Sequence, residues 1–452
     1  MRTIPQNIPH DLVALIEKLR SWLCSAEFKA RHRVRAQDFT RQRQLTFTVV
    51  MLFTLQKTVK SIQRHLHEFL DELAGGQLYE PVTSGAWTHA RAKLKHTAFE
   101  ELNRECVLPW IYGPQASRPM RLWHGHRLLG VDSSLVRLPN HRQLFEQFSP
   151  VEVSNQSGQT GIRYPEARMS VLYDLNNRVA LDGRLEPSSL GEVELAIEQL
   201  KQAKAGDVLI NDRGYTGYEY LAWHHHLGLH LIARCSRACF RAAQDLFRLN
   251  RAGRSLQVKL FAPAHVKVQL RQLGLPLELV VRFVSLRLPT GELEVLVTSL
   301  LDPVEYPTQE FLEVYHRRWN HETFYGMVKG RLDLENFTGE TAEAVRQDFH
   351  STLLVANLES VLSAPAEDAL KEQSAGHLHP KQVNRAVCYH ALKDQLLELL
   401  ASQTPAETVL AKLQKLFLNA AVSVRAKRKV PRPKSSLSRG YHFQKRVKKF
   451  VF

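Results

Sequence analysis

Residues 315 to 329 read Tyr-His-Arg-Arg-Trp-Asn-His-Glu-Thr-Phe-Tyr-Gly-Met-Val-Lys. Taken as one helix at about 100° per residue with Tyr315 at zero, Arg318 falls near roughly −60°, Glu322 near −20° and Lys329 near −40°. The four side chains then share one narrow face. A carboxylate flanked by Arg, Lys and a Tyr hydroxyl suits an oxygen-held metal with phosphate oxygens beside it. The plain alternative is a helix face laced by surface ion pairs. Two more carboxylates bear on the choice. Asp132 lies inside an expected strand, Arg127 to Leu138, and Asp212 ends another in Asn-Asp-Arg-Gly-Tyr. A lone strand-end Asp is commonly a turn residue. Two strand carboxylates and one on a helix returning to the sheet can instead converge on hard cations such as Mg²⁺. A pair of such ions would activate a nucleophile and stabilise a leaving oxygen in phosphodiester chemistry.

The elements that must position these groups follow from periodicity. Residues 1–118 read as mainly helical, with helices from Asp11, over Leu45–Lys60 and from Ser61 to the Gly75-Gly76 stop. A capped basic helix follows within Val82–Leu94, and helix, turn, basic helix is one form a DNA-reading unit takes; a plain helical bundle is the equal alternative. From about residue 120 the period shortens. A strand precedes the hairpin of Ala167–Asp174 and Arg178–Leu185 around Asn176-Asn177. A helix over Leu190–Ala203, a strand over Gly206–Asp212, an aromatic and His-rich helix and a strand over His230–Cys235 come next. Residues 255–300 hold three or four further strands, and helix dominates from Pro307 to about 420. That order suits a mixed sheet with a late helix laid across it.

The composition is ordinary for a globular chain, with 44% hydrophobic residues, and the net charge is +16. The excess is concentrated: Arg425 to Phe452 hold eleven basic residues and no acidic one. A second basic run spans Lys29 to Arg43. Such patches point to a polyanion, most often nucleic acid. The five cysteines form no paired framework, no apolar run reaches the roughly 18 residues of a membrane span, and the N-terminus lacks a signal-peptide stretch. A soluble protein of a reducing cytoplasm is expected.

Together the blocks Gly130-Val-Asp132-Ser, Asn211-Asp212-Arg-Gly-Tyr215 and Tyr-x2-Arg-x3-Glu-x6-Lys resemble the DDE transposases of bacterial cut-and-paste insertion sequences, specifically the insertion sequence 4 family. The resemblance covers about 120 to 360 and extends more loosely to Val82–Leu94. It implies an α/β ribonuclease-H-like catalytic domain with a β-rich insertion, beside a helical N-terminal DNA-binding domain and a helical C-terminal region. The expected divisions are 1–118, 119–365 with the insertion at about 237–302, 366–424, and a basic tail at 425–452. It implies that Asp132, Asp212 and Glu322 are the catalytic, metal-binding triad, holding two Mg²⁺ for which Mn²⁺ can substitute. Tyr315, Arg318 and Lys329 become contacts to transposon-end phosphates, and Arg213, Arg91 and Lys93 are further candidate DNA contacts. The implied partners are double-stranded DNA, as inverted repeats and target, and a second copy of the chain on paired ends. No membrane or nucleotide cofactor is expected. Some members of the family stabilise a flipped base in a DNA hairpin with an insertion-domain Trp. Residues 224–318 contain no Trp, and Phe261 or Phe283 would have to substitute.

Other signals carry less. His224-His-His226 places three adjacent imidazoles in different directions, as a polar helix end does. Cys235 and Cys239 lack a Cys-x2-Cys spacing, Thr338-Gly-Glu340 reads as a helix start, and Trp319 and Phe324 are expected to pack their helix onto the sheet. Two rival readings remain. A tyrosine recombinase using Tyr315 would need no metal, and a catalytically idle DNA-binding protein of the same fold would bind without cutting.

Overall fold

The computed structural model describes residues 8–41, 43–57, 61–75, 77, 79–114, 116, 118–154 and 160–424, with backbone alone over 151–154 and 160–163. The basic tail from Arg425, Gly76 and the end of the expected 45–60 helix lie outside the described residues. In chain order the helices and strands begin with α1 (His10–Cys24), α2 (Ala26–His32), α3 (Phe47–Leu55), α4 (Ile62–Ala74), α5 (Ser84–Arg91), α6 (Thr97–Leu102) and α7 (Pro109–Tyr112). The central stretch is β1 (Leu128–Arg137), α8 (Arg142–Gln147), β2 (Ser149–Ser154), β3 (Thr160–Asp174), β4 (Val179–Pro187), α9 (Glu192–Leu200), β5 (Val208–Asn211), α10 (Tyr218–His226) and β6 (His230–Arg234). Then come α11 (Arg241–Leu249), β7 (Ser255–Phe261), α12 (Lys267–Gln272), β8 (Glu278–Arg287), β9 (Leu293–Thr298), α13 (Glu310–His316) and α14 (Trp319–Gly330). The chain continues with α15 (Ala342–Gln373), α16 (Arg385–Asp394), α17 (Leu396–Ala401) and α18 (Ala406–Asn419).

These elements form two compact units that interleave along the sequence. The sheet unit comprises 120–136 and 167–327; the helical unit gathers the described residues of 1–119, 137–166 and 328 onward. Strand order in the sheet unit runs β4-β3-β1-β5-β6-β9-β8-β7, with β1, β5 and β6 parallel and the remaining ladders of β3–β4, β6–β9, β9–β8 and β8–β7 antiparallel. This mixed sheet with flanking helices fits the ribonuclease-H-like arrangement the sequence implies. Along β1 the side chains alternate. Leu129 and Val131 join Ala196 and Leu200 of α9 and Leu221 and Ala222 of α10 in one buried core. Gly130 and Asp132 therefore point to the opposite face, and there α14 lies.

The expected hairpin is present, its turn held by the Asp174 carboxylate, which accepts from the backbone N–H groups of Asn176 and Asn177 at 2.9 and 2.8 Å. The helix expected to run unbroken from 315 to 329 is not. It divides into α13 and α14 at Arg317 and Arg318, where the N–H groups of Arg317, Arg318, Asn320 and His321 bond to carbonyls three residues back. Arg317 Nη1 bonds Asn176 Oδ1 at 2.8 Å, and Asn320 Nδ2 bonds the Leu175 carbonyl at 3.0 Å. The break is thus fastened to the β3–β4 turn, a long-range interaction invisible to local periodicity.

In the helical unit the 32-residue α15 is the axis. Its residues from Phe349 to Leu358 are almost all buried, and α3, α6, α16 and α18 pack along it. N-terminal and C-terminal helices share that core. Gly75, at φ +59°, ends α4, and Thr83 caps α5 by accepting from the Ala86 N–H at 3.1 Å. Ser61 precedes α4 without a side-chain cap, and Thr341 rather than Thr338 caps α15.

Candidate active site

Two carboxylates are placed by strand register. On the parallel pair β1–β5, Leu128 faces Val208 and Leu129 faces Leu209, so the same offset sets Asp132 beside Asp212. Asn211 Nδ2 continues the match by donating to the Val131 carbonyl at 3.2 Å. Neighbouring strands lie about 4.8 Å apart, which puts both carboxylates at one level of the sheet. Asp212 also does what a strand-end Asp commonly does: its Oδ1 accepts from the Gly214 N–H at 2.7 Å and starts the short 3₁₀ turn of Arg213–Tyr215. Arg213 on that turn is exposed.

The third carboxylate arrives on α14, whose seat on β1 depends on residues other than the candidate ligands. Tyr325, one turn beyond Glu322, donates its hydroxyl to the Asp132 carbonyl at 2.5 Å and accepts from the Val171 N–H at 3.1 Å. His321 is buried, and a Cβ at Gly130 would stand 3.1 Å from its Nδ1 and 3.2 Å from Leu175 Cδ2. Gly130 therefore permits the close approach. Phe324 packs against Tyr173 at 4.3 Å between ring centroids, as expected. Trp319 is 39% exposed, more open than a residue packed fully onto the sheet would be, with the Arg318 guanidinium 5.3 Å from its ring. The break before α14 turns its first residue outward.

Electrostatically the region is a set of poorly compensated charges. Burial pushes the Asp132 carboxyl up to about 6, with Asp212 adding to the rise and the Ser133 N–H and Arg318 opposing it. Arg318 Nη2 meets Glu322 Oε1 at 2.8 Å. Burial opposes the charge on Arg318, yet Tyr315, Glu322 and Asp132 outweigh it, so Arg318 titrates above its ordinary value. His321 is held down at about 3 by burial and by Arg318, and is neutral. Tyr315 is buried, and burial raises its hydroxyl. Glu294 on β9 is a further buried carboxylate beside the site, pushed up by burial despite its 2.7 Å pair with Arg234. Arg168 bonds Ser133 Oγ at 3.0 Å and Glu192 at 2.6 Å. The Tyr315 hydroxyl, Arg318 Nε, His321 Nε2 and Arg168 Nε are each buried with no hydrogen-bond partner among the described residues. Unpartnered buried polar atoms beside desolvated carboxylates make this region a candidate ligand site.

The triad does not close into a cage in this conformation. Among the described residues, the trio of His, Cys, Asp and Glu side chains whose ligand atoms all lie within 4.8 Å is His96, Glu100 and His350, elsewhere in the chain. The donor set of Asp132, Asp212 and Glu322 is nevertheless all carboxylate oxygen, which fits Mg²⁺ or Mn²⁺. Lys329, two turns along α14 from Glu322, lies 3.9 Å from Glu335.

The other candidate DNA contacts separate sharply. Lys93 lines a cleft of about 1160 Å³ with Arg41, Arg43 and His89. Arg91 points inward and is only 3% exposed. It bonds Gln347 and Thr338 at 2.6 Å, and the Ala344 carbonyl and Asp348 at 2.7 Å. All three of its nitrogens are engaged within the fold, against the expectation of a phosphate contact. Phe283 is likewise fully buried, so of the two Phe residues weighed against a missing Trp only Phe261, 62% exposed, can meet a base. His224 is buried with Nδ1 on the Tyr220 carbonyl, while His225 and His226 face solvent.

Comparison with known proteins adds to this geometry. Residues 123–358 match the family model described as a transposase DDE domain. The chain is 22% identical over 285 residues to transposase InsG for insertion sequence element IS4 of Escherichia coli K12, an alignment covering 61% of this chain and 60% of the relative. Among solved structures, the piggyBac transposase synaptic complex with hairpin DNA, determined by cryo-electron microscopy, is similar at 10% identity. Its TM-score is 0.43, with 89% of this chain and 85% of that one covered.

Proposed function

This chain belongs to the transposase DDE domain family, and from that membership we propose that it is a DNA transposase that moves an insertion sequence by cut-and-paste. What supports the reading is the parallel register of β1 with β5, which, carried on, sets Asp132 level with Asp212 just past the end of β5, while Tyr325 of α14, the helix that carries Glu322, bonds the Asp132 carbonyl. Those three side chains would hold the divalent ions, Mg²⁺ or Mn²⁺. Once bound, such ions lower the pKa of a water and stabilise the leaving oxygen of a phosphodiester.

The chain's own residues prepare that chemistry. Tyr325 fixes the β1 backbone at Asp132, and Arg318 steadies Glu322 until the site is loaded. Arg318, the Tyr315 hydroxyl and Lys329 are suited to phosphate oxygens at the transposon end, with Arg213 on the rim. Hydrolysis forms a bond from water oxygen to phosphorus and breaks the bond to the element's terminal 3′ oxygen, freeing a 3′-OH. That hydroxyl then attacks a target phosphodiester in line and displaces a target 3′ oxygen, so no ATP is consumed. Lys93 and the cleft it lines would hold duplex DNA, and two copies would pair two ends.

The test incubates the purified protein with linear DNA carrying its own gene and flanks, with and without Mg²⁺, and maps new 3′ ends. Mg²⁺-dependent nicks at both element boundaries are expected. Tight binding at those boundaries without a cut, by folded protein, would instead favour the idle DNA-binding reading.

A further inference from the structure

Far from the carboxylate triad in sequence, two imidazoles and a carboxylate converge in the helical unit. His96 immediately precedes α6, Glu100 lies one turn on, and His350 faces them from α15. His350 Nε2 is 2.9 Å and His96 Nε2 4.0 Å from the same Glu100 Oε1. The two rings stack at 5.3 Å between centroids, 24° from parallel. The three potential ligand atoms lie within 4.8 Å of one another. We propose that His96, Glu100 and His350 form a second metal site, distinct from the triad, that takes a single Zn²⁺ and pins α6 to α15.

Two imidazole nitrogens and one carboxylate oxygen are a donor set that zinc accepts, with water completing a tetrahedron. Bonds of about 2.0–2.2 Å to each ligand need ligand atoms roughly 3.3 Å apart, which the observed spacings bracket. The hard-cation chemistry of the triad is different: imidazole selects zinc and its neighbours over Mg²⁺. A second observation points the same way. Glu343, two turns before His350 on α15, accepts from both the backbone N–H and Nδ1 of His96, the latter at 2.9 Å. A proton held on Nδ1 fixes the tautomer in which Nε2 carries its lone pair toward Glu100, as the orienting carboxylate of a zinc-binding His does. His350 is 8% exposed, whereas Glu100 and His96 reach solvent at 38% and 23%, so an ion has a way in. The ordinary alternative is a hydrogen-bonded His–Glu–His contact that needs no metal.

This site is independent of the transposase reading and is tested apart from it. Full-length protein carrying Asp132→Asn and Glu322→Gln, which disables the triad, is stripped with chelator and titrated with Zn²⁺ by calorimetry and with Co²⁺ by visible absorption. One equivalent should bind, Co²⁺ should give the intense bands of a tetrahedral site, and Zn²⁺ should raise the unfolding temperature. His350→Gln and, separately, the more exposed His96→Gln should each weaken binding at least about 100-fold, and Glu343→Gln about 10–100-fold. Circular dichroism in chelator verifies that each variant is folded, and one folded His variant suffices. Absence of a bound equivalent in the triad-disabled protein would overturn the proposal. So would an equivalent whose affinity is unchanged by loss of either imidazole.

Discussion

Arg91 is buried and Asp132 half-buried, and the chain surrounds the two charges in contrasting ways. Arg91 meets an ion-pair partner, two side-chain oxygens and a carbonyl, and its partner Asp348 also accepts from the Thr338 N–H at 2.6 Å. Asp132 has one N–H, from Ser133, at 2.8 Å, a like charge on Asp212 just past the end of the next strand, and nearby polar atoms without partners among the described residues. Arg91 has its hydrogen bonds completed by the fold, whereas Asp132 is left with few, which makes it a candidate to take a ligand. Both residues stand in segments that look equally polar in the sequence, and only their surroundings tell them apart.

The sharpest way to break this contrast is to exchange function for stability. Glu322→Gln or Asp212→Asn should lower DNA-end cleavage on the order of 10³-fold or more, measured in single turnover, while urea midpoint and end binding stay close to wild type. Arg91→Ala should do the reverse. Leaving Asp348 buried and unpaired should cost about 3–5 kcal/mol of stability, read from urea denaturation, and any loss of DNA binding should follow the unfolded fraction. Tyr325→Phe lies between them. It removes the donor to Asp132 and the acceptor of Val171, so a loss of about 1–3 kcal/mol is expected, with reduced cleavage even where the protein remains folded.

The smallest effect concerns protons. The folded-state pKa of Asp132 is raised to about 6 from an ordinary 3.8, so folding favours its protonated form. That contribution is fully present below about pH 3.8 and is lost as pH rises through about 6. Asp132→Asn should therefore stabilise the metal-free protein at pH 8, by on the order of 1 kcal/mol, and leave it unchanged near pH 4. For the same reason, proton competition should weaken Mg²⁺-dependent cleavage as pH falls below 6.

Much of the sheet unit is legible in the sequence because its signals are local. Alternation marks β1, Asn176-Asn177 marks the hairpin turn, and the Tyr-x2-Arg-x3-Glu-x6-Lys spacing marks the helix that carries Glu322. What local pattern cannot carry is partner choice. The break at Arg317–Arg318 is fastened by Asn176, some 140 residues earlier. Arg91 turns inward because α15, some 250 residues later, supplies Gln347 and Asp348. The helical unit as a whole has the same origin: α3 and α6 from one end of the chain and α18 from the other bury their apolar faces on one helix. Two signals were available in the sequence. Gly130 sits two residues before Asp132 on the same strand face, where a close neighbour would require it. Tyr325 sits one helical turn past Glu322, on the side that faces the strand.

The most direct measurement is anomalous scattering from Mn²⁺ in crystals of the protein bound to its own element end. Manganese peaks are expected between Asp132, Asp212 and Glu322, with Arg318 released from Glu322 onto a DNA phosphate. Manganese held elsewhere, with the Arg318–Glu322 pair intact and the DNA end seated, would contradict that expectation.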